Sequence, residues 1–85
     1  MSAPIAADST TIGMLITWAQ RSLNTSGSMN ASQEALWLLA HALGMKHHEL
    51  ASRREQVVSG EGLARAESVV SRRKAREPLQ YILGT

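Results

Sequence analysis

The stretch "EALWLLAHALG", from Glu34 to Gly44, decides the fold class. Its middle is apolar on almost every side of a helix, and such a helix belongs at the centre of a bundle. Asn30 or Ser32 can cap its start, and Gln33 follows Asn30 at the spacing of a capping box. Gly44 is the residue type expected just beyond a helix end. The stretch therefore predicts a central helix.

The polar arc of this central helix is narrow. At about 100° per residue it contains Gln33, Glu34 and His41, with Trp37 among them. Tryptophans are usually well buried, so the first helix or the N-terminal segment can be expected to cover Trp37. A half-exposed Trp37 would instead mark a docking surface for a partner. The sequence leaves both interpretations of Trp37 open.

The segments on both sides of the central helix also have helical spacing. A first helix starts after Thr10 or Thr11, and its apolar residues recur at the spacing of one buried face. "NTSGSMN", residues 24–30, ends it. After Gly44, Leu50 anchors a short helix or turn. Ser59 can cap a last long helix from about Glu61 to Arg76.

Pro78 suits the first position of a final helical turn that holds Leu79, Tyr81, Ile82 and Leu83. Strand patterns are nearly absent. The sequence therefore predicts an all-α fold, a small compact bundle of four to five short helices, formed by residues 11–85 after a flexible N-terminus at residues 1–10. The residues predicted to be mostly buried are Ile12, Leu15, Ile16, Ala19, Leu23, Leu36, Leu39, Leu43, Leu50, Leu63, Val70 and Leu79.

Composition limits the function classes. The 85 residues make one domain, and the chain has no cysteine, which favours a reducing compartment. There is neither an apolar run of about 20 residues nor a signal peptide, so we expect a cytoplasmic protein without a membrane partner. Residues 46–85 hold eight Lys and Arg against five Glu, so the basic excess lies in the second half.

Catalytic chemistry is hard to find in these residues. His47 and His48 point about 100° apart on a helix, so they and Glu49 do not converge on a metal. His41 has no neighbour in sequence that would orient it as a base. "SGEG", residues 59–62, lacks the preceding strand and following Lys of a phosphate-binding loop. We predict no catalytic, cofactor-binding or metal-binding residue.

The arginines of the last helix carry the strongest binding signal. Arg65, Arg72 and Arg76 share one stripe, which would suit an acidic partner. The blander interpretation is a solvated face with Glu61–Arg65 and Arg73–Glu77 pairs. No aromatic residue is interleaved for base stacking, so we expect no direct nucleic-acid contact. Arg73 continues the apolar stripe, so its stem should lie on the core and its charge should pair with Glu77.

The C-terminal phrase "RRKAREPLQYILG", residues 72–84, resembles the HemK family of protein-glutamine N5-methyltransferases. The family pattern is close to Arg-Arg-x-x-Gly-Glu-Pro-x-x-Tyr-(Ile/Leu)-x-Gly. The matching residues are Arg72, Arg73, Glu77, Pro78, Tyr81, Ile82 and Gly84. Arg76 stands where glycine is usual, and a continuing helix would accommodate it. Glu34 stands at the Asp of a second family pattern, Asp-Ala-x-x-Leu-Leu-x-x-x-Leu-Gly. The resemblance extends over residues 12–84.

The resemblance implies an N-terminal, substrate-recognition domain whose C-terminal end leads into an absent catalytic domain. The implied parent enzyme uses S-adenosylmethionine to methylate a glutamine of peptide-chain release factors. The Gly-rich loop and the Asn-Pro-Pro-Tyr motif of that family do not occur in these residues, so this domain is not expected to be catalytic or to bind the cofactor. Its implied partners are a release factor and its own catalytic domain.

The residues implied at the junction with the catalytic domain are Glu77, Pro78, Tyr81, Ile82 and Gly84. Those expected to bind the release factor are Trp37, Arg65, Arg72 and Arg76. Two alternatives stay open. One is a free-standing helical adaptor that binds an acidic protein or nucleic acid. The other is the same domain of a ribosomal-protein glutamine methyltransferase.

Overall fold

Five α-helices form the bundle in the computed structural model, which describes residues 10–84. They are α1 (Ile12–Thr25), α2 (Ala31–Leu43), α3 (His47–Ser52), α4 (Gly60–Lys74) and α5 (Leu79–Leu83). The only strand-like pairing among the described residues is an isolated antiparallel bridge between Thr11 and Val57. The predicted all-α bundle is therefore confirmed. Residues 1–9 of the predicted flexible N-terminus lie outside the described residues.

The start of α1 is held by the chain that precedes α4. The Thr11 hydroxyl accepts a hydrogen bond from the Met14 N–H at 3.2 Å, as expected of a cap. The N–H groups of Ile12 and Gly13 donate to the carbonyls of Gln56 and Arg54, both at 2.9 Å. These first-turn donors have no partner within their own helix, so the loop completes the helix end. This arrangement fixes the loop against α1.

Helix α2 lies at the centre and runs antiparallel to α4. Glu34 near its start meets Arg73 near the end of α4. At the opposite end, a Cβ on Gly62 would lie 3.0 Å from Leu43 Cδ2, so the missing side chain allows the close approach of the two helices. The buried apolar residues of α2 are Ala35, Leu38, Leu39 and Ala42.

Most of the predicted core is buried. Nine of its members are buried: Ile12, Leu15, Ile16, Ala19, Leu23, Leu39, Leu50, Leu63 and Val70. Leu36, Leu43 and Leu79 are only partly buried and pack against the core from its edge. Leu38, which the prediction omitted, is fully buried. The buried face of α2 is thus rotated from the predicted one, towards the side that carries Glu34.

The helix ends agree with the prediction at Thr11, Gly44 and Ser59. Asn30 precedes α2 without a side-chain cap hydrogen bond, and Pro78 precedes α5 instead of being its first residue, so these two predictions are wrong. Gly44 ends α2 in the left-handed conformation, with φ of 65°. The Ser59 hydroxyl caps α4 by accepting from the Gly62 N–H at 3.0 Å. The prediction that α4 continues to Arg76 is wrong, because the helix ends at Lys74. Arg76 has φ of 70° and lies outside the helical region.

Candidate docking surface and interdomain junction

Two of the predicted partner-binding arginines lie on the exposed face of α4. Arg65 pairs with Glu61 at 2.9 Å, one turn away, and both side chains are mostly exposed. Arg72 binds Glu77 with two nitrogens, and its Nε donates at 3.1 Å. This bidentate contact lowers the pKa of Glu77 and raises that of Arg72. The Glu61–Arg65 pair expected on a solvated face is therefore present.

Arg76 does not share the helical stripe of Arg65 and Arg72. It is the first residue beyond the helix cap, where the Arg76 N–H donates to the Arg73 carbonyl at 2.9 Å and the Glu77 N–H to the Arg72 carbonyl at 3.2 Å. These two bonds form a Schellman motif, which requires a left-handed residue at this position. The expectation that a continuing helix accommodates Arg76 is therefore wrong, and the left-handed turn suits the glycine of the pattern that residues 72–84 resemble.

Arg73 pairs with Glu34 and not with the Glu77 carboxylate, so the predicted Arg73–Glu77 ion pair is wrong. Its Nε and one terminal nitrogen donate to the two Glu34 oxygens at 2.9 and 3.2 Å. Its other terminal nitrogen donates to the Glu77 backbone carbonyl at 2.9 Å. Most of the Arg73 side chain is shielded from solvent, since it is only 26% exposed.

Glu34 is buried, although it was assigned to the polar arc of α2. Its carboxylate also accepts from the Ser28 hydroxyl at 3.1 Å. The hydrogen bonds from Arg73 hold the pKa of Glu34 below its ordinary value, and Ser28 adds to this effect against the opposing effect of burial. The sequence does contain a signal for this pair. Glu34 and Arg73 each interrupt the apolar stripe of a helix, and buried charged residues are usually paired.

Trp37 is 43% exposed, and it lies between the exposed residues Gln33 and His41 on α2. It follows Glu34 by three residues, so it lies next to the side of α2 that meets the end of α4. Trp18 on α1 packs against the core instead. The half-exposed position is the one expected of an anchor for a partner.

The predicted junction residues occupy the turn after α4 and helix α5. Pro78 precedes the first residue of α5. Ile82 is buried, whereas Tyr81 is 67% exposed. Gly84 ends α5 with φ of 77°. Tyr81 thus presents an aromatic ring to the outside from the last helix of the bundle.

Between residues 10 and 84, no group of three or more His, Cys, Asp or Glu side chains is arranged to hold a metal ion. None of the five helices is both long and apolar enough to cross a bilayer, over the same described residues.

Similarity to known proteins extends over most of the chain. A family model described as the PrmC N-terminal domain matches residues 14–84. A release factor glutamine methyltransferase of Geobacter sulfurreducens is 41% identical over 75 residues, which cover 88% of this chain and 26% of that protein. This chain thus spans about a quarter of the length of that curated relative. No solved structure is significantly similar. The chain belongs to the PrmC N-terminal domain family.

Proposed function

We propose that these residues form the N-terminal helical domain of an S-adenosylmethionine-dependent methyltransferase that modifies a glutamine of peptide-chain release factors in the cytoplasm. The match of the family model to residues 14–84 carries the proposal. The curated relative is itself named a release factor glutamine methyltransferase, which favours release factors over ribosomal proteins as the substrate class.

The domain's own role is to help recognise the release factor, not to catalyse the reaction. S-adenosylmethionine would supply the methyl group, but the sequence holds no Asn-Pro-Pro-Tyr motif and no Gly-rich loop for it. An amide nitrogen is a poor nucleophile, so the enzyme must hold the glutamine in line with the methyl group. Binding energy from a contact far from that glutamine can contribute to holding it there.

The docking surface consists of Arg65, Arg72 and Arg76, with Trp37 as an apolar anchor. The Arg65–Glu61 pair is exposed, and such surface pairs contribute only about 0–1 kcal/mol. An acidic partner can therefore replace Glu61 at little cost. Arg76 is exposed and forms no ion pair with any described residue. Its charge is available to a partner without any rearrangement.

The test compares two substrates of the full-length enzyme, intact release factor and a short glutamine-containing peptide. Arg65→Gln combined with Arg76→Gln leaves the Arg72–Glu77 contact in place. We expect kcat/KM on the intact factor to fall about five- to tenfold, which corresponds to about 1 kcal/mol. The loss should be larger at low salt, because screening weakens exposed charges. Activity on the peptide should not change.

A matched control removes an exposed arginine elsewhere. Arg21→Gln on α1 should leave the use of both substrates unchanged. Equal losses on factor and peptide in the Arg65/Arg76 variant would refute the docking role. A wild-type enzyme that methylates a ribosomal protein and not a release factor would refute the proposed substrate.

A further inference from the structure

The turn between α4 and α5 is tied down by side chains as well as by its backbone. Arg72 binds the Glu77 carboxylate from the outer side of the turn. Arg73 binds the Glu77 carbonyl from the inner side. Residue 77, which directly precedes Pro78, is therefore held on both sides. The fixed φ of Pro78 then limits the directions in which α5 can start.

Arg73 connects this turn to the N-terminal end of the central helix α2. Three of its donors are used, two on Glu34 of α2 and one on the Glu77 carbonyl. Glu34 is in turn held by the Ser28 hydroxyl of the loop between α1 and α2. The guanidinium group is planar and its donors have a fixed geometry. Its hydrogen bonds therefore fix the relative orientation of the groups that they join as well as the distance between them.

Packing and hydrogen bonds act together on helix α5. It has five residues, of which Ile82 is buried and Leu79 and Leu83 pack against the core from its edge. These apolar contacts hold α5 on the bundle, but hydrophobic contact has no preferred direction. The hydrogen bonds of Arg73 are directional. Through the Glu77 carbonyl, Arg73 therefore adds a directional constraint on the start of α5 to the packing of its three apolar residues.

We propose, on the basis of the function proposed above, that Arg73 is a positioning residue for the domain that follows α5. Its bonds to Glu34 and to the Glu77 carbonyl fix the direction in which the chain leaves the bundle. They thereby fix the distance and angle between the docking surface on α4 and the catalytic domain. A release factor bound to the docking surface then presents its glutamine to the active site within a narrow range of positions.

This role differs from a contribution to stability. Replacing a buried ion pair by apolar residues of similar size is often neutral for folding, because desolvation offsets the attraction between the charges. The pair can therefore be removed while the bundle stays folded. Glu34→Leu combined with Arg73→Met keeps the volume and the stem packing but removes every directional bond of the pair.

The experiment uses the full-length enzyme with two spin labels. One is attached at Arg21→Cys on α1, and the 85 residues contain no other cysteine. The second is attached to one surface cysteine of the following domain. The distance distribution between the labels should be narrow in the wild type. In Arg73→Met and in the Glu34→Leu/Arg73→Met double variant, it should become broader or move to a different distance.

Activity gives a second readout. Both variants should lose about tenfold in kcat/KM on intact release factor, since small misplacement of a substrate is costly. They should keep the wild-type rate on the short peptide. Arg53→Met removes a comparable arginine from an exposed pair with Glu49 on α3, so it serves as the matched control. Neither its distance distribution nor its activity should change.

The outcomes separate the two proposals. Distances that stay narrow and unmoved in the double variant would overturn the positioning role of Arg73, whatever the substrate is. A double variant that does not fold would also overturn it, because the pair would then be needed for the bundle itself. A wild-type enzyme that is inactive on release factors would refute the proposed function, while the distances would still test the positioning role.

Discussion

Replacing Arg76 by glycine should stabilise the protein. Arg76 has φ of 70°, and a left-handed conformation costs an L-residue about 1–2 kcal/mol. Glycine avoids this cost, but its greater conformational freedom favours the unfolded chain and reduces the gain by about 0.4–1 kcal/mol. The difference spans about 0–1.6 kcal/mol, so we expect a net gain in the free energy of unfolding near the middle of that range, about 0.5–1 kcal/mol. No ion pair among residues 10–84 is lost, because Arg76 forms none there.

Urea and thermal unfolding of the 85-residue chain measure this gain. The melting temperature of Arg76→Gly should rise by about 2–8 °C for a domain of this size. Arg76→Ala is the matched control, since alanine removes the same charge but keeps a Cβ in the left-handed conformation. It should melt close to the wild type. If Arg76→Ala stabilises as much as Arg76→Gly, the gain comes from charge, and the assignment of a strained turn at Arg76 is refuted.

Two further predictions concern the interior. Glu34→Gln should lower stability by about 1–3 kcal/mol at neutral pH, since it removes hydrogen bonds between charged groups. The pKa of Glu34 is lowered in the folded state, so the stabilisation is present above the ordinary glutamate pKa of about 4.3 and is lost as the pH falls below it. The difference in the free energy of unfolding between the wild type and Glu34→Gln, measured with urea, should therefore become smaller as the pH is lowered. A difference that does not change with pH would contradict the ion pair. Leu38→Ala should cost about 2–5 kcal/mol, and Leu36→Ala on the same helix clearly less, because Leu38 is fully buried and Leu36 only partly. Equal losses in thermal unfolding would mean that the buried face of α2 is centred elsewhere.

Local signals in the sequence predicted the helices well. The Thr11 and Ser59 caps and the Gly44 stop each depend on residues within one turn of the helix end. Such features follow from backbone geometry and capping chemistry, which a sequence displays directly. The buried face of α1 was also predictable, because all five of its buried residues recur at helical spacing.

Contacts between distant parts of the chain were not predictable in the same way. Glu34 and Arg73 are separated by 39 residues. Glu34 had a plausible local role on the polar arc of α2. Arg73 had one in a pair with Glu77, one turn away. The carbonyls of Arg54 and Gln56 complete the start of α1, and backbone atoms carry no sequence signal at all. The conformation of Arg76 could not be predicted from this chain's own residues, because arginine also suits a continuing helix, whereas the glycine of the resembled pattern indicates a left-handed turn.

The two stretches that resemble family patterns meet at one place in the fold. Glu34 comes from one pattern and Arg73 from the other, and they bind each other in the interior. Arg72 and Glu77, both from the C-terminal pattern, bind each other on the surface. Most charged residues of the two patterns therefore hold the turn before α5. Arg76, where the chain departs from the C-terminal pattern, forms no ion pair with any described residue.

Arg76 is the departure that matters most for this argument. The left-handed conformation of Arg76 lowers the stability of the domain relative to glycine. No ion pair of Arg76 among the described residues compensates for this loss. Stability is commonly lost at positions that serve function. The docking role proposed for Arg76 therefore predicts opposite effects of one substitution: Arg76→Gly should raise the melting temperature and lower kcat/KM on intact release factor. Arg76→Lys, which keeps the charge and the strain, should change neither by much. If Arg76→Gly is more stable and fully active on the intact factor, the arginine has no part in docking, and Arg65, Arg72 and Trp37 remain as the candidates.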